Sequence, residues 1–517
     1  MAVRRDHRRG APKEETMADV LDWVRTDTAP LCADAALSRK FLWLLWGDRV
    51  RVLETSGGAT KVRARGKSGW VPTSSLGGRA LLEVYFIDVG QGDGVLVATP
   101  DGRHVLIDGG WRRASQPTGK NAADFVDWKF HDDYGSDRID LDAIVATHND
   151  ADHYGGLLDL LDPDPAARAE LDCTEVRVEA LYHAGLSWWR QGSSGRSLGA
   201  TGDVDGVTCW TQLLGDRASA VQATAGAGPE LQGSWAQFVR AALAARRADA
   251  SATEIARLDD ETRFLPGFEP APDRASIRVL APVRRGTAAA PALRRLTGGN
   301  SINTNGHSVM LRLDYGRSRI LLTGDLNAAS QRALLDEYAG RRQELECDVA
   351  KACHHGSEDV SYEFLQTMRP AVTVISSGDS EGHDHPRPAI VAASATTGHL
   401  SVVDDRIVSP LVYSTELARS LALGKLVGME VPADENATTA ATDLPAGRFR
   451  RTRLRLQETS AGDLTPTTRV RPAGGRLVVT GLVYGLVNVR TDGDRIVCAT
   501  RNEADATWNV HEVRSRF

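Results

Sequence analysis

Four side chains that commonly bind metal ions fall within six residues of this sequence: His148, Asp150, Asp152 and His153. Residues 143–146 (AIVA), just before them, are short, apolar and partly β-branched, which predicts a buried strand. Residues 155–158 (GGLL), just after them, predict a tight turn into a helix. The four side chains would then lie on a loop at the end of a strand, where sites in layered α/β folds usually lie. Two imidazoles and one carboxylate can hold one metal ion, and the second carboxylate permits two.

Further short motifs follow a fixed order around this loop. They are FIDVGQGD at 86–93, LIDGG at 106–110, LTGD at 322–325 and KACHHGS at 351–357. Because they add more carboxylates and imidazoles on either side of residues 148–153, a metal site is favoured over a solvated polar loop.

The H-x-D-x-D-H pattern of residues 148–153 resembles the H-x-[H/D]-x-D-H signature of the metallo-β-lactamase fold. The aspartate at its third position resembles the branch that includes the domain found in bacterial DNA-uptake (competence) channels. The resemblance covers roughly residues 80 to 400. It implies an αββα sandwich in the α/β (α+β) class and a metal-dependent hydrolase.

The resemblance also implies a ligand set for two divalent ions. His148, Asp150 and His307 would bind one ion, Asp152, His153 and His355 the other, and Asp325 would bridge both. Two alternatives stay open: His183 in place of His307, and His385 in place of His355. Zinc is the expected metal for mixed imidazole and carboxylate ligands, and Asp150 makes the site hard enough to admit manganese.

Such a pair of cations would activate a water molecule for hydrolysis. The residues predicted to take part in catalysis are Asp152, His354 and His385, the two histidines as proton donors to the leaving oxygen or as groups that orient ligands. The cations predicted to bind substrate are Lys351, Arg387, Arg112 and Arg113.

The resemblance favours a phosphodiesterase or nuclease that acts on DNA or RNA. The net charge of −6 gives no general attraction for nucleic acid and favours the alternative, hydrolysis of a small phosphodiester or another ester. A non-catalytic binding module is a third hypothesis, and the complete ligand set argues against it.

The 517 residues are enough for two or three domains. Six cysteines without a C-x-x-C pair suggest buried thiols in a reducing cytosol. The basic N-terminus has no apolar segment after it, and no run of the sequence approaches a membrane span. We therefore expect a cytoplasmic protein without membrane contact.

The predicted organisation has five parts: an arm and short helix at 1–38, a small β-barrel at 39–79, the catalytic domain at 80–430, a linker with a basic strand at 431–475, and a β segment at 476–517. Within these parts, the arm is predicted to end near residue 17 and the helix to include residues 20–24. Residues 451–456 predict a strand with arginines on one face, and residues 492–493 predict the turn of a hairpin. The GWV at 69–71 resembles a bacterial SH3-like barrel, which implies a possible protein partner. An insertion at 185–275 would form a lid or a wall of the substrate groove.

Local patterns predict how these parts position the site. Asp108, at a strand end before Gly109-Gly110, matches a motif of the resembled family, which implies that it supports the ligand loop rather than binds metal. Residues 307–313 and 319–323 predict a hairpin that brings His307 and Asp325 to one sheet edge. In the insertion, Ser234 would cap a helix, and Trp188 and Trp189 are predicted to pack in the core rather than to stack on bases.

Overall fold

The computed structural model describes residues 20–116, 119–226, 228–378, 385–415, 486–501 and 507–517, and the backbone of four strands between 423 and 472. The predicted N-terminal arm up to residue 17 and the arginine side chains predicted on one face of residues 451–456 lie outside these residues. Within the described chain, every helix is too short or too polar to cross a bilayer. The chain divides into two compact units: the first comprises the residues up to Ala80 together with Ala504–Trp508, and the second comprises Leu81–Glu503 and Asn509–Phe517.

The first unit is a six-stranded antiparallel sheet in the order β1-β4-β5-β6-β2-β3. Its strands are β1 (Val20–Trp23), β2 (Thr28–Cys32), β3 (Lys40–Leu45), β4 (Arg49–Ser56), β5 (Ala59–Ala64) and β6 (Lys67–Pro72). The prediction of a helix at residues 20–24 is wrong, because these residues pair with the edge of β4 and gain ladder hydrogen bonds that an isolated helical turn cannot supply. The sheet is compatible with a small barrel, and its SH3-like character stays a prediction.

The elements after β6 include both strands and helices. The strands are β7 (Leu82–Phe86), β8 (Val95–Ala98), β9 (His104–Ile107), β10 (Arg138–Ala146), β11 (Glu175–His183), β12 (Trp189–Gln191), β13 (Gly195–Ser197), β14 (Thr201–Val204), β15 (Val207–Trp210), β16 (Glu254–Arg257), β17 (Ser276–Ala281), β18 (Arg284–Gly286), β19 (Pro291–Arg294), β20 (Met310–Tyr315), β21 (Ser318–Leu322), β22 (Val349–Lys351), β23 (Val372–Ile375), β24 (Ser401–Val403), β25 (Arg406–Ser409), β26 (Leu411–Ser414), β27 (Leu423–Pro432), β28 (Ala440–Ala441), β29 (Arg453–Thr459), β30 (Pro466–Pro472), β31 (Val487–Thr491), β32 (Arg495–Arg501) and β33 (Trp508–Arg514). The α-helices are α1 (Ala122–Trp128), α2 (Ala151–Leu161), α3 (Arg217–Thr224), α4 (Gly233–Ala244), α5 (Asn300–Gly306), α6 (Ala328–Glu337), α7 (Tyr362–Met368) and α8 (Pro388–Thr397).

Two mixed sheets form the centre of the second unit. The larger sheet has the order β16-β11-β10-β9-β8-β7-β31-β32-β33, and the smaller has the order β17-β20-β21-β22-β23-β26. Strands β9, β10 and β11 run parallel, as do β21, β22 and β23. The carboxyl ends of each parallel set therefore meet at one edge of its sheet.

Alternation along the strands sends side chains to two different cores. Leu311 and Leu313 of β20 lie in a core shared with the larger sheet, whereas Met310 lies in a core shared with α6 and α7. Helices α1, α2 and α4 cover the outer face of the larger sheet in the same way. Since side chains alternate across a strand, the two sheets face each other and carry helices outside. This arrangement confirms the predicted αββα sandwich.

Helix α2 passes through the residues that the sequence predicted as a turn. It begins at Ala151, immediately after Asp150, so Gly155 and Gly156 lie inside it. These glycines permit close approach: a Cβ on Gly156 would lie 2.0 Å from the carbonyl oxygen of Gly109. The pair therefore packs the ligand-bearing end of α2 against the loop after β9, and the predicted turn is wrong.

The predicted insertion contains the hairpin β12–β13, strands β14 to β16 and helices α3 and α4. Helix α4 begins at Gly233, so Ser234 is not its cap; the Ser234 hydroxyl lies 2.6 Å from that of Tyr154 on α2. Trp188 and Trp189 are buried, as predicted. The predicted C-terminal hairpin around residues 492–493 is confirmed as β31 and β32, which extend the larger sheet beside β7. All six cysteines are buried and unpaired.

Candidate metal centre

The predicted ligand loops converge at the edge where the carboxyl ends of the parallel strands of both sheets meet. Residues 148–153 follow β10, and Asp108 follows β9. Asp325 follows β21 and His355 follows β22, on the facing sheet. A hydrogen bond of 2.9 Å from the Val309 amide to the Thr147 carbonyl joins the two edges.

Asp152, His153, Asp325 and His355 form the densest group of metal-binding side chains. Asp325 Oδ2 lies 3.2 Å from His153 Nε2 and 2.9 Å from His355 Nε2. Asp152 Oδ2 lies 3.5 Å from His355 Nε2 and 3.9 Å from His153 Nε2. Both Nε2 atoms are buried, and neither makes a well-formed hydrogen bond within the described residues. Two carboxylates and two imidazole nitrogens around one point are a donor set that fits a zinc or manganese ion.

The second ring nitrogen, Nδ1, of His153 and of His355 has a hydrogen-bond partner on the side away from Asp325. His153 Nδ1 lies 2.8 Å from Asp108 Oδ2, and His355 Nδ1 lies 3.1 Å from the Ser376 carbonyl oxygen. With Nδ1 as the donor, Nε2 keeps its lone pair for a metal. Asp108 also accepts hydrogen bonds from the Thr147 amide and hydroxyl, at 2.8 and 2.6 Å. These contacts agree with the supporting position that the sequence predicted for Asp108.

His148 and Asp150 form a second, less complete group beside the first. His148 Nε2 lies 3.8 Å from Asp150 Oδ2, and His148 also groups with His153 and Asp325. Burial, together with the nearby His153, lowers the pKa of His148 to about 3, so its imidazole is neutral and able to bind metal. Burial and the neighbouring Asp152 raise the pKa of Asp150 to about 6. A second ion here would have His148, Asp150 and the shared Asp325 as ligands.

The structure does not bring His307 to either group. It follows the end of α5 instead of beginning a strand, and its Nε2 lies 2.8 Å from the Arg294 carbonyl oxygen. Asn305, two residues earlier, lines the cavity above the ligands. His183, the rival in sequence, is buried elsewhere, with its Nδ1 accepting a hydrogen bond of 3.0 Å from the Gly185 amide.

We therefore expect His307→Gln to keep the metal content of the native protein. The glutamine side-chain amide can donate to the Arg294 carbonyl as the imidazole Nε2–H of His307 does, and no metal ligand is removed. Elemental analysis after dialysis against metal-free buffer measures the result, with His355→Gln as the matched histidine variant that should lose metal. Loss of an ion from His307→Gln but not from His355→Gln would contradict this expectation.

Lys351 occupies a different place from the one the sequence predicted. It is 1% exposed, and its Nζ donates to the Gly324 carbonyl at 2.9 Å. The Nζ also forms a close ion pair with Asp93 and lies 3.6 Å from Asp325 Oδ1. A cation buried behind the ligands offsets the charge of the clustered carboxylates and does not face the cavity, so the prediction of a substrate contact is not supported by this geometry.

Asp93 is the site residue that sequence analysis missed. Its carboxylate contacts Lys351 and lies 3.2 Å from His355 Nδ1, and it groups with Asp325 and His355. The signal was present as the last residue of the FIDVGQGD motif at 86–93. Nothing in that motif alone shows that its turn folds toward residue 355.

An open cavity of about 560 Å³ lies over the ligand groups. Asp150, Asp152 and Asp325 line its floor, and His354, His385 and Arg387 also line it. Arg112 and Arg113 do not: their guanidinium groups pair with Asp159 and Asp124, each at 2.9 Å. Of the four cations predicted to bind substrate, the cavity therefore includes Arg387.

The two histidines predicted to assist catalysis lie side by side at this cavity. Their ring centroids are 5.8 Å apart. His354 Nε2 lies 3.2 Å from Asn305 Nδ2, and His385 Nδ1 lies 3.4 Å from Gln91 Nε2. If each amide donates, each neutral ring carries its proton on the other nitrogen. Their roles stay predictions.

The sandwich and its histidine–aspartate groups define a class of protein. Residues 87–171 match the sequence model of the metallo-β-lactamase superfamily. Over these residues, which include β8 to β10, the ligand loop and α2, the chain is similar to that superfamily.

Within this class, the chain is similar to bacterial competence proteins. It is 35% identical over 91 residues to Competence protein ComA of Neisseria gonorrhoeae, covering 17% of this chain and 13% of that protein. It is 28% identical over 88 residues to ComE operon protein 3 of Bacillus subtilis (strain 168), covering 17% and 11%. The chain thus spans only a small part of the length of these curated relatives.

Among solved structures, Tm1679, described as a metal-dependent hydrolase of the beta-lactamase superfamily, is matched at 11% identity and a TM-score of 0.29. The match covers 65% of this chain and 95% of that one. Rm3 metallo-beta-lactamase is matched at 14% identity and a TM-score of 0.23, over 53% of this chain and 77% of that one.

Proposed function

We propose that this chain is a metal-dependent phosphodiesterase that cleaves DNA or RNA. The observation that carries the proposal is the convergence of Asp152, His153, Asp325 and His355 next to an open cavity that Asp152 and Asp325 line. The similarity to competence proteins supports nucleic acid as the substrate. Divalent ions bound there would activate water and neutralise charge that develops on a phosphate.

The residues of the chain would divide the remaining work. Asp108 holds His153 and the Ser376 carbonyl holds His355, so that the Nε2 atom of each imidazole faces Asp152 and Asp325. Lys351, buried behind the ligands, offsets part of the negative charge of the clustered carboxylates. His354 and His385, on the cavity wall, are placed to give a proton to the leaving oxygen.

A small phosphodiester or another ester is the second candidate substrate. Glu358 and Asp359 line the same cavity as the ligand groups, and their negative charge opposes the approach of a long polyanion. The acidic net charge of the chain acts in the same direction.

Purified protein loaded with Zn²⁺ or Mn²⁺ and assayed on single- and double-stranded DNA and RNA tests the proposal. Bis(p-nitrophenyl) phosphate serves as the small substrate. We expect cleavage of at least one nucleic acid, lost on chelation and restored by the metal. Hydrolysis of the small ester alone would favour the second candidate, and inactivity on all substrates would favour a non-catalytic module.

Metal binding should become weaker as the pH falls. Burial lowers the pKa of His153 and of His355, but Asp325 beside both raises each pKa well above the usual value, with Asp108 adding to the effect at His153 and Asp93 at His355. Both imidazoles are therefore protonated in the metal-free protein at neutral pH, and a metal must displace these protons. While both stay protonated, the apparent affinity should fall by about tenfold per pH unit for each proton displaced.

Calorimetric titration of metal into the metal-free protein, in buffers of different ionisation enthalpy, counts the protons released. We expect about two for the ion bound by His153 and His355. A heat of binding that is independent of the buffer would contradict this assignment.

A further inference from the structure

The hairpin β12–β13 of the insertion brings an arginine to the cavity that the metal-site motifs do not include. Arg196 lies on β13 opposite Arg190 on β12, is exposed, and lines the cavity together with Asp150 and Asp152. Resting on the proposed phosphodiesterase function, we infer that Arg196 binds a phosphate next to the one that is cleaved, and so selects a nucleic-acid strand over a small phosphodiester.

The guanidinium group of Arg196 stacks on the ring of Trp188, which serves as its platform. Its central carbon lies 4.0 Å from the ring centroid of Trp188, within the range of a cation–π contact. Trp188 is 5% exposed, and its Nε1 donates a hydrogen bond of 2.8 Å to the carbonyl oxygen of Asn149. Asn149 stands between His148 and Asp150, so the platform is fixed directly to the ligand loop.

The charge of Arg196 is available for a ligand. Within the described chain it forms no ion pair, whereas Arg190, across the hairpin, pairs with Glu230 at 3.1 Å. A stacked guanidinium still presents its N–H groups at its edge, and these match the oxygens of a phosphate.

Unpaired donors nearby point to the same kind of ligand. Asn149 lines the cavity and is 1% exposed, yet neither atom of its side-chain amide has a hydrogen-bond partner in the described structure. The indole Nε1 of Trp111, another cavity residue, is also buried without one. Buried donors left unpaired are costly, and an anionic oxygen from a ligand would accept from Asn149 Nδ2 and Trp111 Nε1.

The contact with Arg196 also leaves Trp188 less able to stack on a base. One face of its ring is covered by Arg196, and Trp189 is buried in the core. The insertion therefore contributes charge rather than base stacking. A charged contact recognises a second phosphate, which a nucleic-acid strand has and a single small phosphodiester lacks.

The test compares Arg196→Gln and Arg196→Lys with Arg190→Gln as the matched control. Arg190 lies in the same hairpin but pairs with Glu230. The substrates are a short oligothymidylate, which has flanking phosphates, and bis(p-nitrophenyl) phosphate, which has none. Equal melting temperatures of the variants would show that the hairpin still folds.

For Arg196→Gln on the oligothymidylate we expect KM to rise by about tenfold to a hundredfold, because a charge-assisted hydrogen bond to the substrate is lost. The value of kcat should stay nearly unchanged. Arg196→Lys should lie between this variant and the native protein, because lysine keeps the charge without the planar fork. The salt dependence of KM should also weaken by roughly one phosphate contact. Hydrolysis of bis(p-nitrophenyl) phosphate should stay at the native level.

Equal effects on both substrates, an unchanged KM, or the same effect in Arg190→Gln would overturn the inference while leaving the proposed function intact. A native protein that cleaves the small ester but not the oligothymidylate would overturn this inference and the choice of nucleic acid. A native protein that cleaves neither would overturn the proposed function and this inference with it.

Discussion

Replacing Asp325 with alanine is expected to remove bound metal and reduce hydrolysis to background, the largest effect of any single substitution in the site. Its Oδ2 lies 3.2 Å from His153 Nε2 and 2.9 Å from His355 Nε2, and it also groups with His148. It is therefore the carboxylate shared by both ligand groups. Removing it takes a ligand from each proposed ion at once and leaves the buried imidazoles without their nearest counter-charge.

Elemental analysis and the rate on bis(p-nitrophenyl) phosphate measure this loss. The rate should fall by more than about 10²–10³-fold, the usual cost of deleting one preorganised contact that stabilises developing charge. Asp325→Asn keeps the side-chain volume and replaces Asp325→Ala in the same measurements if the alanine variant does not fold. Asp314→Ala is the matched control, because Asp314 lies on β20 of the same sheet, pairs with Arg312 at 3.0 Å and is not among the grouped ligands. Asp325→Ala protein that retains both ions would refute the bridging role.

Sequence alone predicted the parts of the site that lie in compact motifs. Residues 148–153 place four candidate ligands on one loop, and the apolar run before them predicts the strand that ends there. Asp325 and His355 were predicted through the resemblance to the metallo-β-lactamase fold, from the motifs LTGD at 322–325 and KACHHGS at 351–357. The structure brings these residues together from both sheets.

The boundary of α5 could not be predicted in the same way. The alternating residues 307–313 favour a strand that begins at His307, but the helix runs to Gly306 and the His307 amide donates to the Asn303 carbonyl at 3.2 Å. Leu296 and Trp210, from distant segments, stabilise this end of the helix through hydrogen bonds to the Asn303 side chain. Such tertiary contacts override local propensity and move Asn305, not His307, to the cavity.

The burial of Lys351 and the role of Asp93 were hidden for a related reason. Each residue lies in a local motif, but the two are far apart in sequence and pair only when the β7–β8 turn meets the end of β22. The same holds for Arg196, which has no motif of its own and reaches the cavity through the hairpin of the insertion. Contacts between distant segments depend on the packing of both sheets, which no single stretch of sequence encodes.

The adjacent histidines 354 and 355 should respond to substitution in opposite ways. Neighbouring side chains on an extended chain point in opposite directions. The structure instead places both histidines in a tight turn, with φ values of 48° and 53°. His355 turns inward and is 1% exposed, with its ring between the Ser376 carbonyl and Asp325. The side chain of His354 stays 25% exposed at the cavity. The first is therefore expected to hold metal and the second to act on the substrate.

His355→Ala should lose metal and all hydrolysis. His354→Ala should keep its metal and slow turnover of an oligonucleotide by roughly 10²–10⁴-fold if His354 is the general acid. The loss should shrink on bis(p-nitrophenyl) phosphate, because nitrophenolate leaves without needing a proton. His385→Ala is the matched variant, since His385 lines the same cavity and is the rival proton donor.

The pH profile separates a proton donor from a merely structural residue. Burial lowers the pKa of His354, and the nearby Asp325 only partly opposes this effect. An acid must be protonated to act, so oligonucleotide cleavage should decline as the pH rises through a value below about 6.5, the ordinary pKa of histidine. That decline should vanish in His354→Ala and persist in His385→Ala. If it vanishes in His385→Ala instead, His385 is the acid; if His354→Ala loses metal while His355→Ala keeps it, the ligand is His354.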